Sequence, residues 1–456
     1  MQKLISKYGL AAHLALVAVA PLFLPLSAVI WLSVLGAVWL VMEPSRFGDE
    51  LLHNARRRVV KALVSDPLFW VLLVLVGVVV LRMLNTGVAM IYDAEAGKWL
   101  LSEPALPLLP GSVEGGSAPL VGCAVALFVI LPASRHCMGR SSRGAFALLA
   151  SALSGIGAYV LLIGEWVSPL TASAVSTDAS WLSDPCFSGV AYGGFLLCAV
   201  VSLVSAFEMR WLKVMPLTIV GISGNLLGLV LLAPVTVAAA HLAAALVVLL
   251  YSFVYLRLRL GQAAEFKFLV FFGMGVVLFV LATQWLSPGA FSEERLSPLL
   301  SGRFVPECYV ELRNALSDVS ARTWKAHPWL GCGYGSFPLA LQFNVSPEGW
   351  TVIPPFQKSA LNGYWMILAE RGVVGAFLLA VPSALLVITY VRRLVKGVTL
   401  SLPHPMAWAG FLLAVVASLE MLVDTSYLAP GATVALVSVF ALSAAAFPKE
   451  MRSNGR

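Results

Sequence analysis

The chain has 456 residues, 59% of them hydrophobic and only 12% charged, against about 45–50% and about 25% in soluble domains. That imbalance excludes a water-soluble globular protein. The net charge of +7 sits in short clusters between apolar runs and does not form the single basic stripe that a nucleic-acid partner would need.

A membrane-crossing helix needs about 20 mostly apolar residues, and such runs recur. The predicted spans are 9–24, 27–42, 68–86, 118–134, 144–164, 188–207, 214–232, 235–256, 268–286, 373–391, 406–423 and 428–447. Residues 1–7 read as a short basic lead into the first anchor, without a clear small-residue cleavage site after it. The expected fold is an all-α integral membrane protein of about 12 transmembrane helices with one large helical loop. Its expected parts are residues 1–286, nine spans with short loops; 287–372, the loop domain; and 373–456, three further spans and a tail.

Lys and Arg alternate with the spans. Arg46, Arg56, Arg57, Arg58 and Lys61 fall on one side, as do Arg135, Arg140 and Arg143, then Arg210 and Lys213, then Arg257, Arg259 and Lys267, then Arg392, Arg393 and Lys396. The first two long connections on the other side carry Asp93, Glu95, Glu103, Glu114, Glu165, Asp178 and Asp184, with Lys98 their only base. Because Lys and Arg favour the cytoplasm, both termini are expected inside and the long loop outside.

Long ordered loops are usually functional, and the stretch 287–372 reads as structured. Pro306 and Glu307 open a helix, on which Cys308, Leu312, Ala315, Leu316, Val319 and Thr323 share one apolar stripe. Pro328 ends it, because the residue before a proline avoids helical dihedrals. A glycine-rich turn follows, Trp329-Leu-Gly-Cys-Gly-Tyr-Gly-Ser336, whose backbone can take positive φ. A second helix fits 361–371, with Leu361, Trp365, Leu368 and Ala369 on one side, before Gly372 turns the chain into the next span. Its Trp and Tyr suit the membrane interface.

Several side chains are candidates for chemistry. Arg313, beside Tyr309, Leu316 and Ser320, can fork onto an anionic group or stand as an exposed or ion-paired arginine, whereas Arg322 has Asp318 one turn earlier as an ion-pair partner. Arg303, in a Ser-Gly-Arg turn, and Arg82, near the outer end of the third span, are further cations, although snorkelling also explains Arg82. His327 has the pKa range of a general base but lies at a helix end, where a surface histidine is ordinary. Glu370 stands next to Arg371, so a local ion pair competes with a role as a base. A Cys308–Cys332 disulfide would close a loop of about 25 residues, stabilising by roughly 3 kcal/mol, with Cys186 a third outer cysteine; Cys123, Cys137 and Cys198 read as structural. No Cys/His spacing suggests zinc, and no nucleotide fingerprint is present, so no cofactor is expected.

The segments 313–337, RNALSDVSARTWKAHPWLGCGYGSF, and 361–375, LNGYWMILAERGVVG, resemble the outer-loop signature of the O-antigen ligase and O-antigen polymerase superfamily. There a helix bearing an arginine leads into a Pro-x-x-Gly-x-Gly turn, and a His-Asn-x-x-Leu-type helix ending in Glu-x-Gly follows. Arg313 matches the family arginine; Pro328, Gly331 and Gly333 match the turn; Asn362, Glu370 and Gly372 match the second helix. Leu361 stands where the family has its histidine, and His241 is the only ionisable residue of the eighth span, where related ligases carry an arginine.

The resemblance implies a glycosyltransferase of the bacterial inner membrane. It would move a glycan from a polyprenyl-diphosphate carrier to a lipid or glycan acceptor, without metal or nucleotide. Arg313, Arg303 and Arg82 would hold the diphosphate, and Glu370 or His327 would assist the acceptor. A protein glycosyltransferase would differ only in its acceptor. A transporter or flippase is the rival from another class, and predicts polar groups at mid-membrane and symmetric halves. Leu361 raises a third reading, a family member that has lost catalysis.

Overall fold

A computed structural model of the protein describes residues 2–20, 31–32, 34–35, 84–93, 97–102, 140–167, 185–232, 235–286, 307–354, 359–400 and 402–422, with 64, 70, 73, 77, 80, 106 and 113. Of these residues, 81% are helical. The helices are α1 (Gln2–Val19), α2 (Arg140–Val167), α3 (Pro185–Glu208), α4 (Met215–Leu232), α5 (Val235–Leu260), α6 (Gln262–Leu286), α7 (Glu307–Ala326), α8 (Phe337–Asn344), α9 (Gly363–Leu400) and α10 (Pro405–Glu420). The expectation of an all-α fold is corrected by one antiparallel hairpin, β1 (Met90–Asp93) with β2 (Lys98–Leu101), which pairs Asp93 with Lys98. Four predicted spans, 27–42, 68–86, 118–134 and 428–447, lie wholly or mostly outside the described residues.

Among the described residues, four helices, α2, α3, α5 and α6, are long and apolar enough to cross a membrane, and α4 and α10 are shorter apolar helices. The spanning stretch of α3 is 94% buried and that of α6 only 22%. An apolar helix exposed to that extent finds its solvent in lipid, so α3 is the inner helix and α6 an outer one.

Backbones approach closely through small residues, as membrane helices require when lipid supplies no hydrophobic drive between them. A Cβ on Gly155 of α2 would lie 2.8 Å from the Val220 carbonyl oxygen of α4, and one on Gly224 would meet the Gly155 backbone. Asn225 seals this seam: its amide donates to Ser151 O at 2.9 Å and Gly221 O at 2.6 Å, and Ser154 Oγ donates to its Oδ1 at 2.8 Å. Buried hydroxyls such as Ser252 and Thr283 donate to the carbonyl four residues back, the usual resolution for a helix with no water beside it.

One end of the bundle is polar. Tyr255 of α5 donates to Glu208 Oε1 of α3 at 2.7 Å, and His404 Nε2 lies 3.3 Å from Glu208 Oε2. His404 also caps α10, its Nδ1 accepting from Met406 N at 3.2 Å; a proton on the neutral ring therefore sits on Nε2, the nitrogen facing Glu208. Arg257 and Arg259 belong to the same end, beside Glu265 and Tyr255. The other end of α10 is about 24 Å away by helical rise, and there the chain meets α7 and α9.

Those elements share a small core of their own, formed by Leu316, Val319, Phe337, Leu341, Ile353, Ala360 and Ala369. Leu316 and Val319 come from the predicted stripe on α7, which stops at Ala326 ahead of Pro328.

Candidate functional site

α9 is broken at Gly372, whose φ of 60° and ψ of −169° are not helical. In an unbroken helix Val373 N would donate to Ala369 O and Val374 N to Glu370 O. The glycine turn takes up all four groups instead. Cys332 N donates to Ala369 O at 2.9 Å and Gly333 N to Glu370 O at 3.1 Å, while Val373 N donates to Pro328 O at 2.9 Å and Val374 N to Trp329 O at 3.1 Å. The turn is thus spliced into the helix, and each of these four backbone groups has a partner.

Two glycines make the splice possible. Gly331 has φ of 70°, and a Cβ there would collide with the Glu370–Arg371 peptide. Gly372 likewise has no room for one against Trp329 and Gly331.

The side chains around this junction do specific work. The Glu370 carboxylate is buried, and its Oε1 accepts from Phe337 N at 3.3 Å, a negative charge placed at the N-terminus of α8. Arg371 stacks over the Tyr334 ring at 5.0 Å. His327 is exposed at the end of α7, its carbonyl accepting from Gly331 N at 3.0 Å. Arg322 and Asp318 form the i,i+4 pair at 2.7 Å, both about half exposed.

The predicted disulfide is not formed. Cys332 is a free, buried thiol whose Sγ lies 2.8 Å from Ser336 Oγ. Burial pushes its pKa up to about 12, with the Glu370 charge acting in the same sense and the Ser336 bond opposing.

Asn362 caps α9, its Oδ1 accepting from Tyr364 N and Trp365 N at 3.1 Å each. The helix therefore begins at Gly363, and Leu361 before it takes the left-handed conformation, φ 49°. A leucine there costs roughly 1–2 kcal/mol, and strain of this kind gathers at functional sites.

Asn362 and Arg313 then converge. Asn362 Nδ2 donates to Leu422 O at 3.1 Å, and the half-buried Arg313 guanidinium donates to the same oxygen. Gly363 N donates to Met421 O at 2.7 Å and Tyr364 Oη to Ser418 O at 2.9 Å. Arg313 of α7 and the start of α9 thus meet at the last turn of α10, whereas the glycine turn sits at the other end of α7, roughly 20 Å from Arg313 by helical rise. Arg303 and Arg82 lie outside the described residues, as does the side chain of Cys308.

Directly below is a feature the sequence reading passed over. His241 of α5 and Glu420 of α10 are both buried, 0% and 4% exposed, with Nδ1 3.1 Å from Oε1. Nδ1 is also 3.0 Å from Val237 O, which can only accept, so Nδ1 carries a proton. Among the described residues no hydrogen bond of good geometry reaches either Glu420 oxygen. The signal was present in the sequence: Glu420 is a lone acid inside the predicted span 406–423, and intramembrane acids are functional candidates by default.

No group of His, Cys, Asp and Glu among the described residues could hold a metal ion. No family model matches the chain, and no curated protein matches it.

Proposed function

We propose that this chain is a membrane glycosyltransferase of the ligase or polymerase kind. It moves a glycan from a polyprenyl-diphosphate carrier to a sugar acceptor at the outer face of a bacterial inner membrane. The catalytic region is the 287–372 loop, held outside by about twelve spans with both termini inside. The single observation that carries the reading is the convergence of Arg313 and Asn362 on Leu422 O.

The mechanism follows from that geometry. In the free protein Arg313 donates to a neutral carbonyl. A diphosphate is a stronger, charged acceptor, so Arg313 transfers to it and offsets the charge that grows on the leaving group, commonly the largest catalytic contribution. Arg303 and Arg82 serve as further cations. Pro328, Gly331, Gly333 and Gly372 keep the turn in the helix, Asn362 fixes the start of α9, and Glu370 or His327 assists the acceptor. Displacement at the anomeric carbon is inverting, with no metal.

The experiment is to delete the gene and resolve surface glycans on a gel. Loss of ladders marks a ligase and loss of long forms a polymerase; an unchanged pattern removes the reading.

The transporter or flippase reading has one observation in its favour, the ionisable pair buried in the bundle. Carrier-linked glycan in the deletion strain separates the two. A transferase defect leaves it on the outer leaflet, open to impermeant reagents, and a flippase defect leaves it on the inner one.

A further inference from the structure

The transfer has to release a proton from the acceptor hydroxyl, and the matching segments are poorly equipped to take it. Leu361 has no ionisable group, the Glu370 carboxylate is engaged by the N-terminus of α8, and His327 lies at the far end of α7, about 21 Å from Arg313 by helical rise. We propose, resting on the transferase reading, that Glu420 is the catalytic base and that His241 is its positioning residue.

Three observations support this. Glu420 is two residues from Leu422, the atom group that Arg313 and Asn362 both hold. Its carboxylate is 4% exposed and no described group hydrogen-bonds well to either oxygen, an arrangement that costs several kcal/mol in a dry bundle and persists when the group has another use. His241 cannot turn away: its Nδ1–H is fixed by Val237 O, and its ring fills the space beside Gly193, where a Cβ would lie 2.7 Å from Nε2. The fixed imidazole thus stands 3.1 Å from Oε1 and sets where the carboxylate lies, with Oε2 left to act.

The step balances without a co-reactant. When a diphosphate draws Arg313 from Leu422 O, the last turn of α10 is uncovered. The acceptor oxygen attacks the anomeric carbon, and a carbon–oxygen bond forms. The bond from that carbon to the phosphate oxygen breaks, and its electron pair leaves with the diphosphate. The hydroxyl proton passes to Glu420 Oε2 and then to the outer solution.

The test uses the full-length chain, tagged, in the deletion strain, with ladder intensity normalised to protein in the membrane. Glu420→Gln keeps size and removes the base, so the ladder should fall by about 100-fold or more, with carrier-linked glycan accumulating on the outer leaflet. A wild-type ladder from Glu420→Gln overturns the proposal and leaves the transferase reading standing; a deletion without effect on surface glycans overturns that reading itself. Should Glu420→Gln not accumulate, Glu420→Asp and Glu420→Asn, equal in size and different in charge, replace it: more ladder from Asp supports the base, equal ladders overturn it. His241→Gln, which keeps a donor, should restore more ladder than His241→Leu, and equal restoration removes His241 from the account.

Discussion

A Cβ on Gly372 would lie 2.6 Å from the amide nitrogen of Gly331, so these two glycines, one in the turn and one at the helix break, close on each other with no space for a side chain. Around that contact the helix gives up its own ladder and the turn completes it. The region 328–333 is therefore held by backbone bonds at both edges, which fixes the helix break and the start of α8 that follows it.

Alanine at these glycines should show the difference between strain and collision. Gly331→Ala and Gly372→Ala each combine a left-handed backbone with overlap against main chain, so each should cost well over the roughly 1–2 kcal/mol of the dihedral alone. Gly335 has φ of 75° but open space around its Cβ, so Gly335→Ala should cost only the dihedral. Thermal unfolding in detergent, read by tryptophan fluorescence, should rank the first two below the third; equal midpoints would contradict the splice.

The seam between α2 and α4 gives a second comparison. Gly224→Leu drives a side chain into the Gly155 backbone, whereas Gly273 of α6 has nothing within 4 Å of its Cβ. Gly224→Leu should fail to accumulate in the membrane and Gly273→Leu should accumulate as wild type, measured by immunoblot of membrane fractions. Comparable levels would mean that the two helices do not pack through this face.

Cys332 predicts a pH dependence with a definite sign. Its folded pKa is raised to about 12, above the roughly 8.5 of a free thiol, so the folded state holds the proton longer than the unfolded one. The stability it contributes is fully present below about pH 8.5 and is lost as pH rises toward the folded value. At pH 7.5 the thiol should resist iodoacetamide in the folded protein and react on unfolding. Rapid labelling of native Cys332, or an intact mass two hydrogens short without reductant, would contradict the free buried thiol.

The arginines of α7 should behave unequally. Arg322 pairs with Asp318 on an exposed face, and such pairs contribute about 0–1 kcal/mol, so Arg322→Ala should leave both folding and the glycan pattern unchanged. Arg313→Ala should abolish complementation, and Arg313→Lys, a point charge without the fork, should restore only part of it. Full complementation by Arg313→Ala would remove the diphosphate clamp.

The apolar periods, the proline stop after α7 and the break at Gly372 were legible in the sequence, because each depends on neighbours along the chain. What escaped depends on pairs distant in sequence. The exchange between 328–333 and 369–374 uses main-chain groups that every residue has, so no side-chain pattern announces it. The β1–β2 hairpin is short and carries Gly97 at its turn, too weak a signal beside twelve apolar runs. The expected Cys308–Cys332 bond rested on compartment and loop length alone, and the free, buried Cys332 thiol overrides both. Glu420 was visible as a lone acid, yet only the packing of α5 against α10 gives it His241.

The central claim is that the glycine-turn region and the basic connections lie on opposite faces of the membrane, with the former outside. Single cysteines at Glu348 and Arg259, both exposed, in a chain with its six native cysteines replaced, test it with a membrane-impermeant maleimide on spheroplasts. The account predicts that Glu348→Cys is labelled on intact spheroplasts and Arg259→Cys only after lysis. Labelling of Arg259→Cys first, or of both together, would contradict it.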